Sequence, residues 1–168
     1  AECAFGALDQ NHFTDEQIIA QIDAVTEHDA DKKTVAFCCN WCTYAAADLA
    51  GTSRVHYPPN VKIVRVMCSG MVNPIYILKA FEGGADGVLV AGCHHSDCHY
   101  IDGPVKCDAT VDNLRKVLHV LGLEDERLRR ELVAASEGVV FARIIKEMVE
   151  QLKKIGPSPF KAKTEALA

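Results

Sequence analysis

Three short strand-like segments of this chain each end in cysteine, at residues 34–39, 61–68 and 87–93. The continuous apolar run Val35-Ala-Phe37 in the first is typical of a parallel strand that is covered on both faces. Because parallel strands of one sheet finish at the same edge, thiols that are far apart in sequence should meet there. The sequence therefore predicts an α/β fold with a group of sulfurs at the C-terminal edge of its sheet.

Helical patterns alternate with these strands. A capping box, Thr14-Asp-Glu-Gln17, predicts the start of a first helix, and Asn73-Pro74 predicts the start of another. Strands and helices that alternate through short connections favour right-handed parallel crossovers. We therefore expect a flavodoxin- or Rossmann-like fold, with a small parallel sheet of about four strands and helices on both faces. The further expected elements are helices at 41–51, 73–82, 108–121 and 138–155 and a fourth strand at 132–134.

Composition limits the partners and the compartment. The 168 residues carry a net charge of -5 and no basic run, which argues against a nucleic-acid or anionic-membrane surface. The apolar runs are well short of the roughly 20 residues that cross a bilayer. Eight cysteines without a visible secretory signal fit a reducing cytoplasm better than a disulfide framework. A soluble, cytoplasmic domain is expected.

Two pairs of cysteines follow strands and indicate a metal site. Cys39-Asn-Trp-Cys42 has the C-x2-C spacing of metal sites and of thioredoxin-like dithiols, and by itself does not distinguish them. The second pair, Cys93 and Cys98, favours metal because a dithiol enzyme needs only two sulfurs. Four thiolates suit an iron-sulfur cluster or a structural zinc. The position at the sheet edge where α/β proteins bind cofactors favours the cluster, and zinc and the dithiol stay open as alternatives.

The other cysteines differ in their prospects as ligands. Cys68 also ends a strand and is a fifth candidate. Side chains alternate along a strand, so Cys38 and Cys39 should face opposite ways, and only Cys39 has the spacing to Cys42. Cys107, near a helix start, is more typical of a packing thiol.

The loop between Cys93 and Cys98 also carries imidazoles. His94, His95 and His99 could replace sulfur as ligands, but hydrogen bonds to loop backbone or to cluster sulfurs are the simpler role. Trp41 and Tyr100 are expected to cover the site. The sequence has no glycine-rich phosphate loop and no nucleophile elbow, so no catalytic residue is predicted.

Five longer stretches carry a family resemblance: Phe37-Cys-Cys-Asn-Trp-Cys42, Ala46-Ala-Asp-Leu-Ala-Gly51, Tyr57-Pro-Pro-Asn60, Arg65-Val-Met-Cys-Ser-Gly70 and Gly92-Cys-His-His-Ser-Asp-Cys-His-Tyr100. Together they resemble the delta subunit of the F420-non-reducing (methyl-viologen-reducing) hydrogenase. The resemblance implies a [2Fe-2S] cluster that passes electrons between a hydrogenase and the flavin-bearing component of heterodisulfide reductase in methanogenesis. It implies that the ligands are four of five cysteines, namely Cys39, Cys42, Cys68, Cys93 and Cys98.

The N-terminal stretch resembles a different protein. Cys3-Ala-Phe-Gly-Ala-Leu8 and the residues from His12 to Ile18 are similar to the C-terminal ferredoxin region of that flavin-bearing component of heterodisulfide reductase. The two resemblances imply a fusion, with the tail of an upstream ferredoxin-like region and a linking helix at 1–31, a delta-type iron-sulfur domain at 32–156 and a flexible tail at 157–168. Cys3 would then be a ligand separated from its own cluster.

The resemblance also implies partners. We expect components of heterodisulfide reductase on one side and, as electron donor, a hydrogenase, a formate dehydrogenase or an F420-oxidising subunit on the other. The domain is expected to relay electrons inside an oxidoreductase complex without an active site of its own.

Overall fold

The computed structural model describes residues 10–27 and 33–161. Cys3 and the predicted N-terminal ferredoxin-like tail up to residue 9 lie outside the described residues. Helices and strands alternate along the described chain. The elements are α1 Asp15–Glu27, β1 Thr34–Cys39, α2 Thr43–Thr52, β2 Val61–Val66, α3 Pro74–Glu82, β3 Gly87–Gly92, α4 Gly103–Val120, β4 Leu128–Leu132 and α5 Gly138–Ile155.

The described residues form one parallel sheet of four strands in the order β2-β1-β3-β4. Thr34 of β1 lies opposite Val61 of β2 and Gly87 of β3, so the three strands begin together. The chain leaves β1 toward β2 on one side, and β3 lies on the other side. This reversal is the position at which open α/β sheets bind ligands. The predicted fold class is confirmed.

Helices cover both faces of the sheet, because strand side chains alternate between two apolar cores. Val35 and Phe37 of β1 face the core built by α1, α3 and α4. Ala36 and Cys38 face the core built by α2 and α5, where Phe141 is fully buried. The continuous apolar pattern of β1 and β3 follows from this two-sided burial, since every residue of both strands is buried.

Local hydrogen bonds fix where several helices begin and end. The Gln17 N–H donates to Thr14 Oγ1 at 3.3 Å and the Thr14 N–H donates to Gln17 Oε1 at 3.2 Å, as the capping box predicts. The Ile75 N–H donates to the Asn73 side chain at 2.9 Å and caps α3. The predicted end of α2 at Gly51 is wrong, because the helix continues to Thr52 and Arg54 adopts the positive φ of 56°.

The fourth strand was predicted at 132–134, but the structure has it at Leu128–Leu132. It therefore lies in the charged segment 124–131 rather than in the apolar residues that follow. It is an edge strand, which tolerates charged side chains when their charges are paired. Arg129 pairs with Glu131 at 2.6 Å, and Arg130 pairs with Asp108 at 2.9 Å. Apolar periodicity does not detect such a strand.

Helix α4 begins at Gly103 rather than at Asp108 as predicted. Pro104 lies in the first turn, where its missing N–H is not needed, so Gly103-Pro104 starts a helix here instead of forming a loop. The backbone is close to a neighbouring turn, since a Cβ on Gly70 would lie 2.8 Å from the Gly103 Cα. This contact brings the start of α4 to the cysteine edge of the sheet.

Helix α5 has the predicted bounds, and the described residues directly after it contact the domain. The Ser158 N–H donates to Asp86 Oδ1 at 2.8 Å, and Phe160 packs against the core of α1, α3 and α4. Residues 157–161 therefore lie against the domain, and 162–168 fall outside the described residues. Among the described helices, none has both the length and the apolar character needed to cross a membrane.

Candidate metal centre

Three cysteine sulfurs meet at the C-terminal ends of β1 and β3. Cys39 is the last residue of β1, Cys42 precedes α2, and Cys93 follows the last residue of β3. The Cys39 and Cys93 sulfurs are 3.5 Å apart, and the three sulfurs all lie within 4.8 Å of one another. These residues, here called the Cys39 group, lie beside the point where the strand order reverses, and the predicted convergence of thiols is confirmed for them.

Cys68 and Cys98, here called the Cys68 pair, lie against the start of α4. A Cβ on Gly103 would be 2.2 Å from the Cys68 sulfur and 3.1 Å from the Cys98 sulfur. Cys68 follows β2, the strand paired with β1, so the pair lies at the same C-terminal edge of the sheet as the Cys39 group. The structure thus brings the candidate cysteines to one edge of the sheet as a group of three and a pair. The choice of four ligands among them remains a prediction.

The sulfur of Cys39 lies where a negative charge is favoured. The backbone N–H of Thr43, at the start of α2, donates to the Cys39 sulfur at 3.5 Å. A hydrogen bond from the Cys93 thiol, helped by this N–H, lowers the pKa of Cys39 to about 5. The same hydrogen bond raises the pKa of Cys93 above its ordinary value. Of these two sulfurs, Cys39 therefore loses its proton more readily.

Burial opposes a second thiolate in this space. Burial raises the pKa of Cys42 and raises the pKa of Cys68 to about 11, although the Gly70 N–H donates to the Cys68 sulfur at 3.4 Å. Several half-buried sulfurs held this close repel one another as thiolates unless a cation joins them. A soft metal centre is the kind of group that this donor set fits, because thiolates bind zinc and iron-sulfur iron in tetrahedral arrangements.

Two other cysteines pack in the apolar cores on the two faces of the sheet. Cys38 is fully buried in the core of α2 and α5, and burial raises its pKa well above its ordinary value. Cys107 lies in α4 and is packed in the opposite core, and burial raises its pKa to about 11. Cys38 faces away from Cys39, as strand alternation predicts.

Two histidines attach the loop between Cys93 and Cys98 to helices on opposite faces of the sheet. His94 Nε2 lies 3.1 Å from Glu137 Oε2, directly before α5. His95 Nε2 lies 2.6 Å from Asp108 Oδ2, in α4. These partners are carboxylates rather than the backbone or sulfur atoms expected from the sequence. The pairs position the loop.

Aromatic rings lie beside the loop. Trp41 stacks on His99 with ring centroids 4.2 Å apart, and its Nε1–H donates to the Tyr100 hydroxyl at 3.2 Å. Trp41 keeps 43% and Tyr100 keeps 41% of its surface exposed, so the rings cover the loop only partly. A cavity of about 490 Å³ also opens beside Cys68. Its lining includes Met67, Met71, Tyr100 and Lys106.

Sequence reasoning missed several residues that shape this edge. Gly103 allows the close approach of the Cys68 pair, and its position before Pro104 was a usable signal for a helix start. Arg130 reaches under the same edge from β4. Its position in a charged run gave no signal for that role.

Comparison with known proteins identifies relatives. The family model described as methyl-viologen-reducing hydrogenase, delta subunit, matches residues 34–156. The chain is 48% identical over 134 residues to the iron-sulfur protein of the vhc F420-non-reducing hydrogenase of Methanococcus voltae. That match covers 80% of this chain and 93% of the relative. It is 50% identical over 126 residues to the corresponding iron-sulfur protein of the F420-non-reducing hydrogenase of Archaeoglobus profundus, covering 75% of this chain and 92% of that protein.

A second group of relatives is much longer. The chain is 46% identical over 163 residues to a subunit of the ferredoxin:CoB-CoM heterodisulfide reductase of Methanosarcina mazei, which covers 96% of this chain. It spans only 21% of that protein. The same domain thus occurs both as a separate hydrogenase protein and within a longer reductase protein. On the match over residues 34–156 and on these identities, the chain belongs to the family of the methyl-viologen-reducing hydrogenase delta subunit.

Proposed function

We propose that this domain is an electron relay that binds a [2Fe-2S] cluster through four of the five cysteines of the Cys39 group and the Cys68 pair. The observation that carries the proposal is the convergence of the Cys39 group, whose sulfurs lie within 4.8 Å of one another at the reversal point of the sheet. The names of the hydrogenase relatives include the words iron-sulfur, which supports this class of metal centre.

The residues present supply what such a cluster requires. Backbone N–H groups of Thr43 and Gly70 donate to the sulfurs of Cys39 and Cys68, and such bonds stabilise the negative charge of the thiolates. When bound, a [2Fe-2S] cluster accepts one electron and releases it again without breaking a bond. The paired histidines of the loop and the stacked Trp41 hold the surrounding chain in one arrangement.

The partners belong to the same proposal. The relatives are named as subunits of hydrogenases and of heterodisulfide reductases, so this domain would pass electrons from a donor to heterodisulfide reductase in methanogenesis. The donor would be a hydrogenase, a formate dehydrogenase or an F420-oxidising protein. The reducing conditions of a cytoplasm would keep the thiols available for the metal.

A zinc-stabilised docking module is the second candidate. The spacing of the Cys39 group also suits zinc, which accepts tetrahedral thiolates. A dithiol oxidoreductase is less well supported. Such an enzyme needs an accessible thiol, whereas Cys39 is only 1% exposed and its sulfur lies 3.5 Å from that of Cys93.

The test is the metal content and spectrum of anaerobically purified protein. We expect about two iron and two acid-labile sulfide ions per chain, a visible charge-transfer spectrum, and one electron paramagnetic resonance signal after reduction with dithionite. Stoichiometric zinc without a visible spectrum would instead indicate the docking module. Disulfide reduction that depends on Cys39 and Cys42 would indicate the dithiol enzyme.

Serine replacements then identify the ligands. Replacement of Cys39, Cys42 or Cys93 should abolish the visible spectrum, because these sulfurs lie closest together. Cys68→Ser should change or abolish it, whereas Cys107→Ser should leave it unchanged. Loss of the spectrum in the Cys107 variant, with retention in the Cys68 variant, would show that the ligand set is wrong.

A further inference from the structure

A buried arginine lies under the cysteine edge with part of its hydrogen-bonding capacity unused. The side chain of Arg130 is 8% exposed, and its Nε–H donates to Asp108 Oδ1 at 2.9 Å. Its Nη1 donates to the carbonyl oxygens of Val90 and Glu131. Its Nη2 is buried and has no hydrogen-bond partner among residues 10–27 and 33–161. A buried donor without a partner destabilises the fold, so its presence requires an explanation.

The guanidinium lies between the turns that carry Cys93 and Cys68. A Cβ on Gly92, the residue before Cys93, would be 3.7 Å from Arg130 Nη1 and 2.4 Å from Ser69 Oγ. Ser69 is the residue after Cys68. The Gly92 backbone, the Ser69 side chain and the Cys107 thiol therefore all lie beside the positive charge, at the edge of the sheet that carries the candidate ligands. Because residue 92 is glycine, no side chain at that position keeps the Arg130 guanidinium away from the backbone.

Asp108 neutralises this charge from the outer side. Its side chain is 35% exposed, and it also pairs with His95 of the cysteine loop. The ion pair is therefore oriented, with the guanidinium on the buried side and the carboxylate nearer to solvent. Solvent screens the carboxylate more strongly than it screens the guanidinium.

Such a cation favours the reduced state of a metal centre. Reduction adds one electron, and therefore one negative charge, to a cluster that thiolates already make negative. A fixed positive charge in a region of low dielectric constant stabilises the added charge more strongly than it would in water. Charges and hydrogen bonds around the ligands are the usual means by which a protein adjusts a cluster's reduction potential.

We propose that Arg130 is a positioning residue for the metal centre, whose buried guanidinium raises the reduction potential of the cluster, with Asp108 limiting the increase. The proposal rests on the proposed function, because it requires a redox-active centre at the cysteine edge. It assigns a role to an arginine that the family resemblance does not single out.

Arg129 provides a matched control on the same strand. Its side chain points to the opposite face of the sheet, where it pairs with Glu131 at 2.6 Å and with Glu147 at 2.9 Å. It is 22% exposed. Removing its charge changes the net charge of the protein by the same amount as removing that of Arg130.

The experiment is a redox titration of the cluster-loaded protein at fixed pH, followed by electron paramagnetic resonance. We expect Arg130→Gln to shift the potential downward, Arg130→Lys to recover most of that shift, and Arg129→Gln to leave the potential near that of wild type. Asp108→Asn should shift the potential upward, because it removes the neutralising carboxylate. Opposite shifts cannot result from a general loosening of the site.

The outcomes separate the two proposals. If wild-type protein holds no redox-active cluster, the proposed function fails and the role of Arg130 fails with it. If wild type titrates as a one-electron centre but Arg130→Gln and Arg129→Gln shift the potential equally, only the role of Arg130 is overturned. A downward shift for Asp108→Asn would also overturn it. Thermal unfolding followed by circular dichroism checks that each variant is folded.

Discussion

Cys38 and Cys39, neighbours in β1, have different surroundings. Cys38 and Cys39 are adjacent and equally buried, yet one lies in an apolar core and the other faces the candidate metal centre. Strand alternation is sufficient to explain the difference. The C-x2-C spacing to Cys42 made the same distinction from the sequence. The orientation of these residues could therefore be predicted without a structure.

A pair of variants tests this distinction. Cys39→Ser should abolish the visible spectrum of the reconstituted protein, because it removes the sulfur that the Thr43 N–H and the Cys93 thiol favour as a thiolate. Cys38→Ser should keep the spectrum but lower the free energy of unfolding by about 1–3 kcal/mol, since it places a hydroxyl group in an apolar core. Iron content and urea denaturation measure the two effects. Loss of iron in Cys38→Ser alone would contradict the prediction.

The position of Arg130 could not be predicted in this way. Its side chain comes under the cysteine edge because β4 pairs with β3 in a register that sets Arg130 opposite Val90. That register depends on burial of the whole sheet. The local sequence shows only three arginines in a charged run.

At the scale of the element, the start of α4 shapes the cysteine edge. Gly103 lies so close to the Cys68 pair that a methyl group would fall 2.2 Å from the Cys68 sulfur. The helix also begins in contact with the turn Ser69–Met71 that follows Cys68. One element thus sets the positions of two candidate ligands.

Gly103→Ala should therefore displace the Cys68 pair. We expect a loss of about 1–3 kcal/mol in the free energy of unfolding from overpacking, together with weaker iron retention during gel filtration. Gly51→Ala is the control, because a Cβ there meets nothing within 4 Å. As Gly51 lies within α2, its replacement should stabilise the protein by up to about 1 kcal/mol. Equal iron retention in both variants would show that the contact at Gly103 does not matter.

The elements themselves differ in how far the sequence determines them. Strands β1 and β3 were predictable because each is buried on both faces and therefore continuously apolar. Strand β2 is an edge strand that carries Lys62 and Arg65, and the alternation of its apolar residues was the signal that remained. The fourth strand was misplaced because an edge position allows charged residues whose partners lie on α4 and α5. The early start of α4 depends on contact with Gly70, which is distant in sequence. Tertiary contacts decided both cases.

At the scale of the whole molecule, the two edges of the sheet have different roles. The C-terminal edge carries the candidate metal centre, and the N-terminal edge holds a buried ionic cluster. Arg127 is 1% exposed and donates to the carbonyl oxygens of Asp86, Gly156 and Pro157 at 2.9, 3.2 and 3.0 Å. This cluster attaches the residues after α5 to the sheet.

Truncation tests the attachment. A chain that ends at Ile155 loses the carbonyl groups of Gly156 and Pro157 and leaves the Arg127 guanidinium with unmade hydrogen bonds. We expect the free energy of unfolding to fall by at least about 2 kcal/mol. A chain that ends at Lys161 keeps these contacts and should match the full chain. The iron content of both should be unchanged relative to their folded fraction, because the cysteines lie at the other edge.

The same cluster should make stability depend on pH through Glu124. A hydrogen bond from Arg127, 2.6 Å between Nε and Glu124 Oε2, holds the pKa of Glu124 below its ordinary value. A depressed pKa in the folded state stabilises the fold above the pKa of the unfolded chain, about 4.3, and this stabilisation is lost as the pH falls through the folded value. Glu124→Gln should therefore be less stable than wild type at pH 7.

The expected difference is about 1 kcal/mol at pH 7, because the Glu124 side chain is 42% exposed and solvent screens the pair. It should shrink as the pH falls below about 4, where wild type also loses the carboxylate charge. Urea denaturation of cluster-free, reduced protein from pH 3 to pH 7 measures it. A difference that stays constant over this range would mean that Glu124 acts on Arg127 through packing alone, since only the carboxylate charge titrates between these limits.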